Sequence, residues 1–143
     1  MQKSSLRIKA MYDDGAFPLE RAFSVDGGAD IRTPYDFVLQ PHDCVIIDTG
    51  VHVAIPKGYV GFLKSKSGIN VAMDTIGEGV IDSGYTGSIK VKLYNLGDKK
   101  HSFARGQKII QLVILPCLLC DFVAVDTLDK TQRGDGGFGS TGK

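Results

Sequence analysis

The sequence GVIDSGYTGSI, at residues 79–89, joins two apolar segments through a Gly-rich turn. It places the carboxylate of Asp82 three residues before the phenol of Tyr85. Successive side chains of a strand point to opposite faces, whereas a Gly-rich turn breaks this alternation and can aim two side chains into one space. We therefore predict that Asp82 and Tyr85 share a pocket.

Short apolar runs on both sides of this turn recur at intervals of roughly ten residues. They are rich in β-branched and aromatic residues, and they end at Gly, Pro, Asp or Asn. Alternation over Leu6, Ile8 and Ala10 is typical of a half-buried strand. The other predicted strands are 37–39, 44–47, 51–55, 59–63, 89–93, 109–115 and 122–125. This pattern predicts an all-β sandwich or barrel.

The one helical candidate is the segment Ser67–Met73, which follows the basic residues Lys64 and Lys66. Ser67 is the predicted N-cap of this helix. Free N–H groups at a helix start, preceded by cations, favour an anion site. A surface turn with solvated lysines is the alternative interpretation.

Total charge and hydropathy limit the partners of the chain. The 143 residues include 17 Lys and Arg against 16 Asp and Glu, for a net charge of +1. Nothing in this balance favours nucleic acid, so any phosphate binding has to be local. No apolar run reaches membrane-spanning length, and the first residues do not resemble a signal peptide. We expect a cytoplasmic domain (in the host cytoplasm if the source is viral), with no membrane or nucleic-acid partner.

Three cysteines are an odd number, which argues against a disulfide framework. Cys117 and Cys120 have the spacing of half a zinc site, but no second pair of ligands follows. We expect reduced thiols buried in strands, because free cysteine behaves as a small hydrophobe.

The composition changes abruptly after Asp129, so we divide the chain into a β domain, 1–129, and a C-terminal arm, 130–143. The arm has too little apolar surface to offset its ordering entropy, and we expect it to be mobile without a ligand. Arg133 and Phe138 nevertheless lie among its glycines. A cation for phosphate, a flat ring for a base and bare backbone are the parts of a nucleotide clamp. A tail without function is the alternative.

Five segments of the chain, taken in order, resemble the motifs of the trimeric dUTPase family, the dUTP pyrophosphatases. Together they cover nearly the whole sequence, and the third and fifth match almost letter for letter. The segments are 28–31, 65–69, 79–87, 105–112 and 133–142. The resemblance implies a distorted β jelly roll that assembles as a homotrimer. Each active site then takes motifs one, two and four from one chain, motif three from a second and the arm from the third.

The resemblance also implies a reaction, the hydrolysis of dUTP to dUMP and pyrophosphate by attack of water on the α-phosphorus. This reaction keeps dUTP low and supplies dUMP for thymidylate synthesis. Asp82 resembles the general base that orients the water. The implied cofactor is Mg²⁺ on the triphosphate, and Asp30 resembles the acid that reaches this metal through water. An Asp in a local turn is the alternative role for either residue.

Substrate contacts are implied for four groups of residues. The residues that resemble the family's phosphate contacts are Lys66, Ser67, Gly68 and Gln111. Lys66 stands where arginine is commoner, and lysine lacks the bidentate fork of arginine. Tyr85 would pack against the deoxyribose and leave no room for a 2′-hydroxyl. The residues implied in uracil recognition are Gly77, Gly79, Val80, Ile81 and Lys90. Those implied in the closing arm are Arg133, Phe138, Gly139, Ser140 and Thr141.

Three other functions compete with this interpretation. A dCTP deaminase of the same fold needs a glutamate on the strand after the turn, and residues 87–93 contain none. A binding protein that uses this scaffold to regulate a partner is the second alternative, and an intact enzyme site leaves such a partner open. An unrelated structural jelly roll would make five motif matches accidental.

Overall fold

A computed structural model of the chain describes residues 5–139 and 142. It contains ten strands and one short helix. The strands are β1 Lys9–Tyr12, β2 Gly28–Arg32, β3 Phe37–Leu39, β4 Cys44–Asp48, β5 Val51–Ala54, β6 Tyr59–Lys64, β7 Thr75–Ile81, β8 Lys90–Asn95, β9 His101–Phe103 and β10 Lys108–Pro116, and the helix is α1 Ser67–Met73.

All strand pairs of the described chain are antiparallel, and they form three sheets. The largest has the order β2-β10-β6-β7-β8-β4, and β1-β5 and β3-β9 form two smaller ribbons. These curled antiparallel sheets enclose one core, which confirms the predicted all-β, jelly-roll-like fold. Strand β8 shows how the sequence specifies this fold. Its residues alternate between exposed and buried from Lys90 to Asn95.

The core is built from branched aliphatic side chains contributed by all three sheets. Ile31, Ile47, Val91 and Ile110 are fully buried. Phe103 of β9 stacks on Phe37 of β3 with ring centroids 4.6 Å apart. Such an aromatic pair adds about 0.5–1.5 kcal/mol to the burial itself.

The long strand β7 changes partner halfway along its length. Residues Thr75 to Gly77 pair with β8, in a register that ends at Gly77 and Leu93. Residues Glu78 to Ile81 pair instead with β6. On its other edge β8 pairs with β4 from Tyr94 to Lys90, which lies opposite Asp48. The two strands of the β7–β8 hairpin are therefore joined at its base and diverge toward its turn.

Two sequence expectations about the chain ends are wrong. The predicted strand 122–125 is an extended segment without a pairing partner in this chain, and Phe122 is 97% exposed. Apolar alternation creates a strand only where an edge is available to pair with it. At the other end, β1 begins at Lys9, so Leu6 and Ile8 precede the paired residues.

The cysteines are free, as expected, but they are not buried. Cys44 and Cys120 are exposed and Cys117 is partly exposed. Cys117 and Cys120 follow the end of β10, where the backbone leaves the sheet. No helix in residues 5–139 is long and apolar enough to cross a membrane.

Candidate active site

The turn after β7 is held by its own backbone and by Tyr85. The Tyr85 N–H donates to the carbonyl of Asp82 at 3.0 Å, which closes a turn over residues 82–85. The Tyr85 hydroxyl donates to the carbonyl of Ser88 at 2.7 Å. A side chain at Gly87 would place its Cβ 2.6 Å from this hydroxyl, so the ring lies over Gly87 because that residue has no side chain. Both Asp82 and Tyr85 are exposed, and their shared pocket stays a prediction.

An open backbone edge runs beside this turn. Because β8 diverges, alternate N–H and C=O groups of residues 78–81 point away from β6 toward the gap in the hairpin. Val80 is 59% exposed on this stretch, and Lys90 is exposed where β8 begins on the other side of the gap. This stretch of β7 is an unpaired sheet edge, which presents hydrogen-bond donors and acceptors in fixed positions.

Ser65 joins the start of α1 to the base of the hairpin. Its hydroxyl accepts from the N–H of Gly77 at 2.9 Å and donates to the carbonyl of Gly77 at 3.1 Å. Gly77 lies where β7 changes partner, and a Cβ there would be 2.9 Å from Ile110. The serine hydroxyl therefore takes the place of a strand partner for Gly77.

The N-cap of helix α1 lies one residue before the predicted cap, Ser67. Lys66 is the N-cap residue, with an extended backbone and no capping side-chain hydrogen bond, so the prediction that Ser67 caps the helix is wrong. Ser67 and Gly68 occupy the first helical turn and are exposed. Their backbone N–H groups are among the first four of the helix, which have no carbonyl partner within it.

Asp30 lies at the centre of a cluster of opposite charges. The carboxylate, on β2, is 5% exposed, and its two oxygens pair with different lysines. Oδ1 pairs with Lys66 of the α1 N-cap, and Oδ2 lies 2.8 Å from the ammonium of Lys108 on β10. Burial by itself raises the pKa of Asp30, but the hydrogen bonds and charges of Lys108 and Lys66 outweigh it and hold the pKa below its usual value of 3.8.

We expect Asp30→Asn to lower the free energy of unfolding by about 1–3 kcal/mol at neutral pH, because two partly exposed ammonium groups lose their counter-ion. Since the folded pKa of Asp30 is lowered, its stabilisation is present above about 3.8 and is lost as the pH falls through the folded value. Urea unfolding at fixed chain concentration should therefore give a difference between variant and wild type that shrinks on acidification. Asp98→Asn, in an exposed pair with His42, is the control and should cost less than about 1 kcal/mol.

Gln111 is held in place by two neighbours. Its amide nitrogen donates to the carbonyl of Ser65 at 3.0 Å. It pairs with Asp30 in the β10–β2 register, and the absent side chain of Gly28 leaves the space that its amide occupies. The Gln111 side chain is partly buried, between β2 and the start of α1, and its predicted phosphate contact stays a prediction.

The predicted site residues therefore fall into separate groups within one chain. Asp30, Lys66 and Gln111 are brought together, with Ser67 and Gly68 beside them. Asp82 lies at the far end of β7, five extended residues and roughly 16 Å from Gly77. One chain by itself does not bring the carboxylate of Asp82 to Lys66.

The hydrogen bonds of residues 130–139 lie within the arm itself. The Nε of Arg133 donates to the carbonyl of Gly136 at 2.9 Å, and Phe138 is fully exposed. Phe138 and Gly139 both have positive φ angles, 51° and 90°. Ser140 and Thr141 lie outside the described residues. The division at residue 129 stays a prediction, and the last strand ends at Pro116.

Two residues with evident roles had no role assigned from the sequence. Lys108 completes the charge cluster, and Ser65 forms hydrogen bonds with the backbone of Gly77. Both residues lie inside the motif segments 65–69 and 105–112, and this position was the sequence signal that could have indicated their roles. In the described residues no group of three or more His, Cys, Asp or Glu could hold a metal ion.

The chain was compared with known families and proteins. The sequence pattern of the dUTPase family matches residues 17–142. Relatives named deoxyuridine 5′-triphosphate nucleotidohydrolase include one from Cutibacterium acnes, 43% identical over 82% of this chain and 80% of the relative. Another, from Mus musculus, is 36% identical over 98% of this chain and 86% of the relative.

Solved structures give the same result. The dUTPase of Staphylococcus bacteriophage 80alpha, solved with dUpNHpp, has a TM-score of 0.85 and 28% identity over 97% of this chain and all of that chain. Work on this phage protein describes it as controlling the transfer of virulence genes by a G protein-like mechanism. A phage phi11 enzyme with a structural Mg(II) ion has a TM-score of 0.78 and 27% identity over 85% of this chain and 98% of that one. This chain belongs to the dUTPase family.

Proposed function

We propose that this protein hydrolyses dUTP to dUMP and pyrophosphate in the cytoplasm, keeping dUTP low and supplying dUMP for thymidylate synthesis. The observation that carries the proposal is the open edge of β7 beside the Asp82–Ser88 turn, in a chain of this family. That edge offers fixed donors and acceptors to a base, next to a ring and a carboxylate.

Asp82 acts as the general base in this proposal. A water held by its carboxylate gives up a proton as its oxygen attacks the α-phosphorus, and pyrophosphate leaves from the opposite side. The exposed position of Asp82 supports the role, because the carboxylate is open to a substrate. The hydrogen bond from the Tyr85 N–H to the Asp82 carbonyl fixes the backbone from which the side chain projects.

Uracil lies in the gap of the hairpin. The backbone of Gly79, Val80 and Ile81 reads O4 and N3–H, which are inverted to a donor and an acceptor in cytosine. Gly77 closes the base of the gap, because its own N–H and C=O are bonded to Ser65. Lys90 closes the other side of the gap. A narrow gap also leaves no room for the methyl group of thymine.

Tyr85 selects the deoxyribose by packing against it where a 2′-hydroxyl would lie. The bond from its hydroxyl to Ser88 supports this role, since it holds the ring in one orientation. The ring position depends on the absence of a side chain at Gly87.

We expect Gly87→Ala to leave the fold intact and to reduce the dUTP-to-UTP ratio of kcat/KM by about tenfold, the scale of one displaced pocket contact. The new methyl group must push the Tyr85 ring away from Ser88. Gly84→Ala is a matched control in the same turn, because a Cβ there meets nothing within 4 Å. Equal ratios for both variants would contradict the role of Tyr85.

The triphosphate lies against Lys66, Ser67, Gly68 and Gln111. The first-turn N–H groups of α1 and the amide of Gln111 supply donors, and Lys66 supplies charge. Lysine gives this contact as a point charge and without the bidentate geometry of arginine. Asp30 holds the Lys66 ammonium at the start of the helix, which supports a phosphate contact by Lys66 at that position.

The residues fit an Mg²⁺ ion carried by the triphosphate rather than by a protein cage. Each Asp30 oxygen is paired with a lysine, so a metal directly on this carboxylate is disfavoured, while its remaining lone pairs can accept from metal-bound water. When bound, Mg²⁺ neutralises charge that develops on the phosphates. Asp30 would hold it through water.

Completing the site requires a homotrimer. Asp82 and Lys66 of one chain lie at opposite ends of β7, so motif three serves the phosphate site of a neighbour. The exposed apolar segment after β10, with Phe122 and Leu128, supports an association that buries it. The arm of a third chain closes the site, with Phe138 stacked on uracil, Arg133 at the γ-phosphate, and Gly139, Ser140 and Thr141 around the phosphates.

The test is pyrophosphate release from dUTP, with dTTP, dCTP and UTP assayed alongside in the presence of magnesium. We expect rapid hydrolysis of dUTP alone. A folded, trimeric protein that hydrolyses none of the four would overturn the proposal. Equal hydrolysis of dCTP would contradict uracil recognition by the backbone of β7.

A further inference from the structure

His52 connects the Tyr85 turn to a loop that has no part in the proposed site. The histidine lies on β5, opposite Met11 of β1, and its side chain is only 17% exposed. Nδ1 lies 2.8 Å from the carbonyl oxygen of Thr86, the residue after Tyr85. Nε2 lies 3.1 Å from both carboxylate oxygens of Asp13, in the loop after β1. The imidazole is thus a bridge between that loop and the middle of the turn.

The other end of the turn is fixed independently. The Ser88 hydroxyl donates to the carboxylate of Asp48 and accepts from the N–H of Gly50 at 3.0 Å. The N–H of Ile89 donates to the carbonyl of Val51 at 2.8 Å. The segment between Asp82 and this anchored end carries Tyr85. The His52 side chain, which lies outside the turn, bonds to this segment at Thr86.

We propose that His52, held by Asp13, is a positioning residue that fixes the Tyr85 turn and so sets discrimination against a 2′-hydroxyl. The inference rests on the proposed function, since it assigns His52 to the sugar selection made by Tyr85. His52 touches no substrate in this proposal. It acts through the backbone of Thr86.

Protonation decides how complete this bridge is. Both partners of the ring are acceptors, a carbonyl and a carboxylate, and a neutral imidazole has one N–H to give. The imidazolium satisfies both partners, whereas the neutral ring must turn a lone pair toward one of them. Hydrogen bonds from the ring to Thr86 and to Asp13 raise the pKa of His52 above its usual 6.5.

The carboxylates near the ring act in the same direction, while a nearby ammonium group disfavours the imidazolium. Asp13 and Asp48 are the carboxylates that favour the imidazolium. Lys90 lies opposite Asp48 on β8, and Lys9 of β1 lines the small cavity that His52 and Thr86 share. Because the folded pKa is raised, the full bridge is present below about 6.5 and is lost as the pH rises through the folded value.

The test compares the dUTP-to-UTP ratio of kcat/KM from about pH 6 to about pH 9 in wild type, His52→Gln and Asp13→Asn. The ratio cancels the titration of the base, the phosphates and the uracil, which both substrates share. We expect the wild-type ratio to fall by about three- to tenfold with rising pH, the scale of one hydrogen bond. In His52→Gln it should be low and independent of pH, and in Asp13→Asn the fall should move to lower pH.

The control is His42→Asn, which removes an exposed histidine 2.7 Å from Asp98 and away from the turn. Asn is suited to position 42, whose φ is positive at 56°. We expect this variant to follow the wild-type profile. A wild-type profile in His52→Gln as well would overturn the inference.

A second measurement separates this inference from the proposed function. Backbone order parameters from NMR for residues 84–88 should decrease in His52→Gln and stay unchanged in His42→Asn, whatever the protein hydrolyses. Unchanged order parameters in His52→Gln would overturn the positioning role. Failure of wild type to hydrolyse dUTP, with a turn that loosens in His52→Gln, would instead refute the function and leave the positioning of the turn intact.

Discussion

Asp82→Asn is expected to lower kcat for dUTP by about 10²–10⁴-fold, the contribution of a positioned general base. The amide has nearly the same shape as the carboxylate but does not take a proton from the attacking water. Asp82 is exposed, and the turn is closed by its backbone carbonyl, so the substitution leaves that hydrogen bond in place. Stability should change by less than about 0.5 kcal/mol, as for most surface substitutions.

The measurement is pyrophosphate release under single-turnover conditions, together with binding of dUTP to the variant. We expect binding close to that of wild type, because Asp82 acts on the water and not on the nucleotide. Asp98→Asn removes a carboxylate that is 94% exposed elsewhere on the surface and should retain full activity. Full turnover in Asp82→Asn would transfer the role to another carboxylate, and Asp48, bonded to Ser88 at the other end of the turn, would be the first to test.

The strands that were predicted correctly are those with a repeated sequence signal. Residues 89–93 and 109–115 alternate or run apolar because one face or both faces are buried, and the structure places β8 and β10 there. The strand β2 was missed because Gly28 to Arg32 contains only two apolar side chains, Ala29 and Ile31, too short an alternation to indicate a strand. It is a strand because β10 pairs with it and because Asp30 in its centre is held by two lysines.

The geometry of the site depends on features with no sequence signal. The β10–β2 register shifts between Lys108 and Ile110, and the strand beyond this irregularity places Gln111 opposite Asp30 while Lys108 still reaches the same carboxylate. Regular alternation would put residues 108 and 111 on opposite faces. The change of partner along β7 also has no sequence signal, since Gly77 is one of several glycines in that region.

The separation of Asp82 from Lys66 had a basis in sequence only through the family resemblance. Fifteen residues lie between the two positions, a distance that could equally close a local pocket. The extended strand β7 keeps them apart in one chain. Local patterns therefore predicted the candidate groups, while the long-range pairing of strands decides which of them one chain brings together.

Deleting residues from Arg133 onward is expected to leave a folded trimer and to lower kcat/KM for dUTP by about 100-fold or more, from the lost stacking and phosphate contacts. The fold should survive because the last strand ends at Pro116 and no side chain of residues 130–139 belongs to the core. Thermal unfolding and gel filtration check the fold, and pyrophosphate release checks activity. Full activity in the truncated chain would refute the closing role of the arm.

Mixing this truncated chain with full-length Asp82→Asn tests whether the arm and the base come from different subunits. Each variant alone is nearly inactive, since one lacks the arm and the other lacks the base. If a site takes its base from one neighbour and its arm from another, a random equal mixture restores about a quarter of wild-type activity, because each neighbour is suitable half the time. If both groups came from the same chain, no site in the mixture would be complete. Unfolding and refolding the two chains together ensures exchange, and wild type treated in the same way gives the reference. An inactive mixture of folded trimers would therefore contradict a base and an arm from different subunits, while a restored quarter would require them.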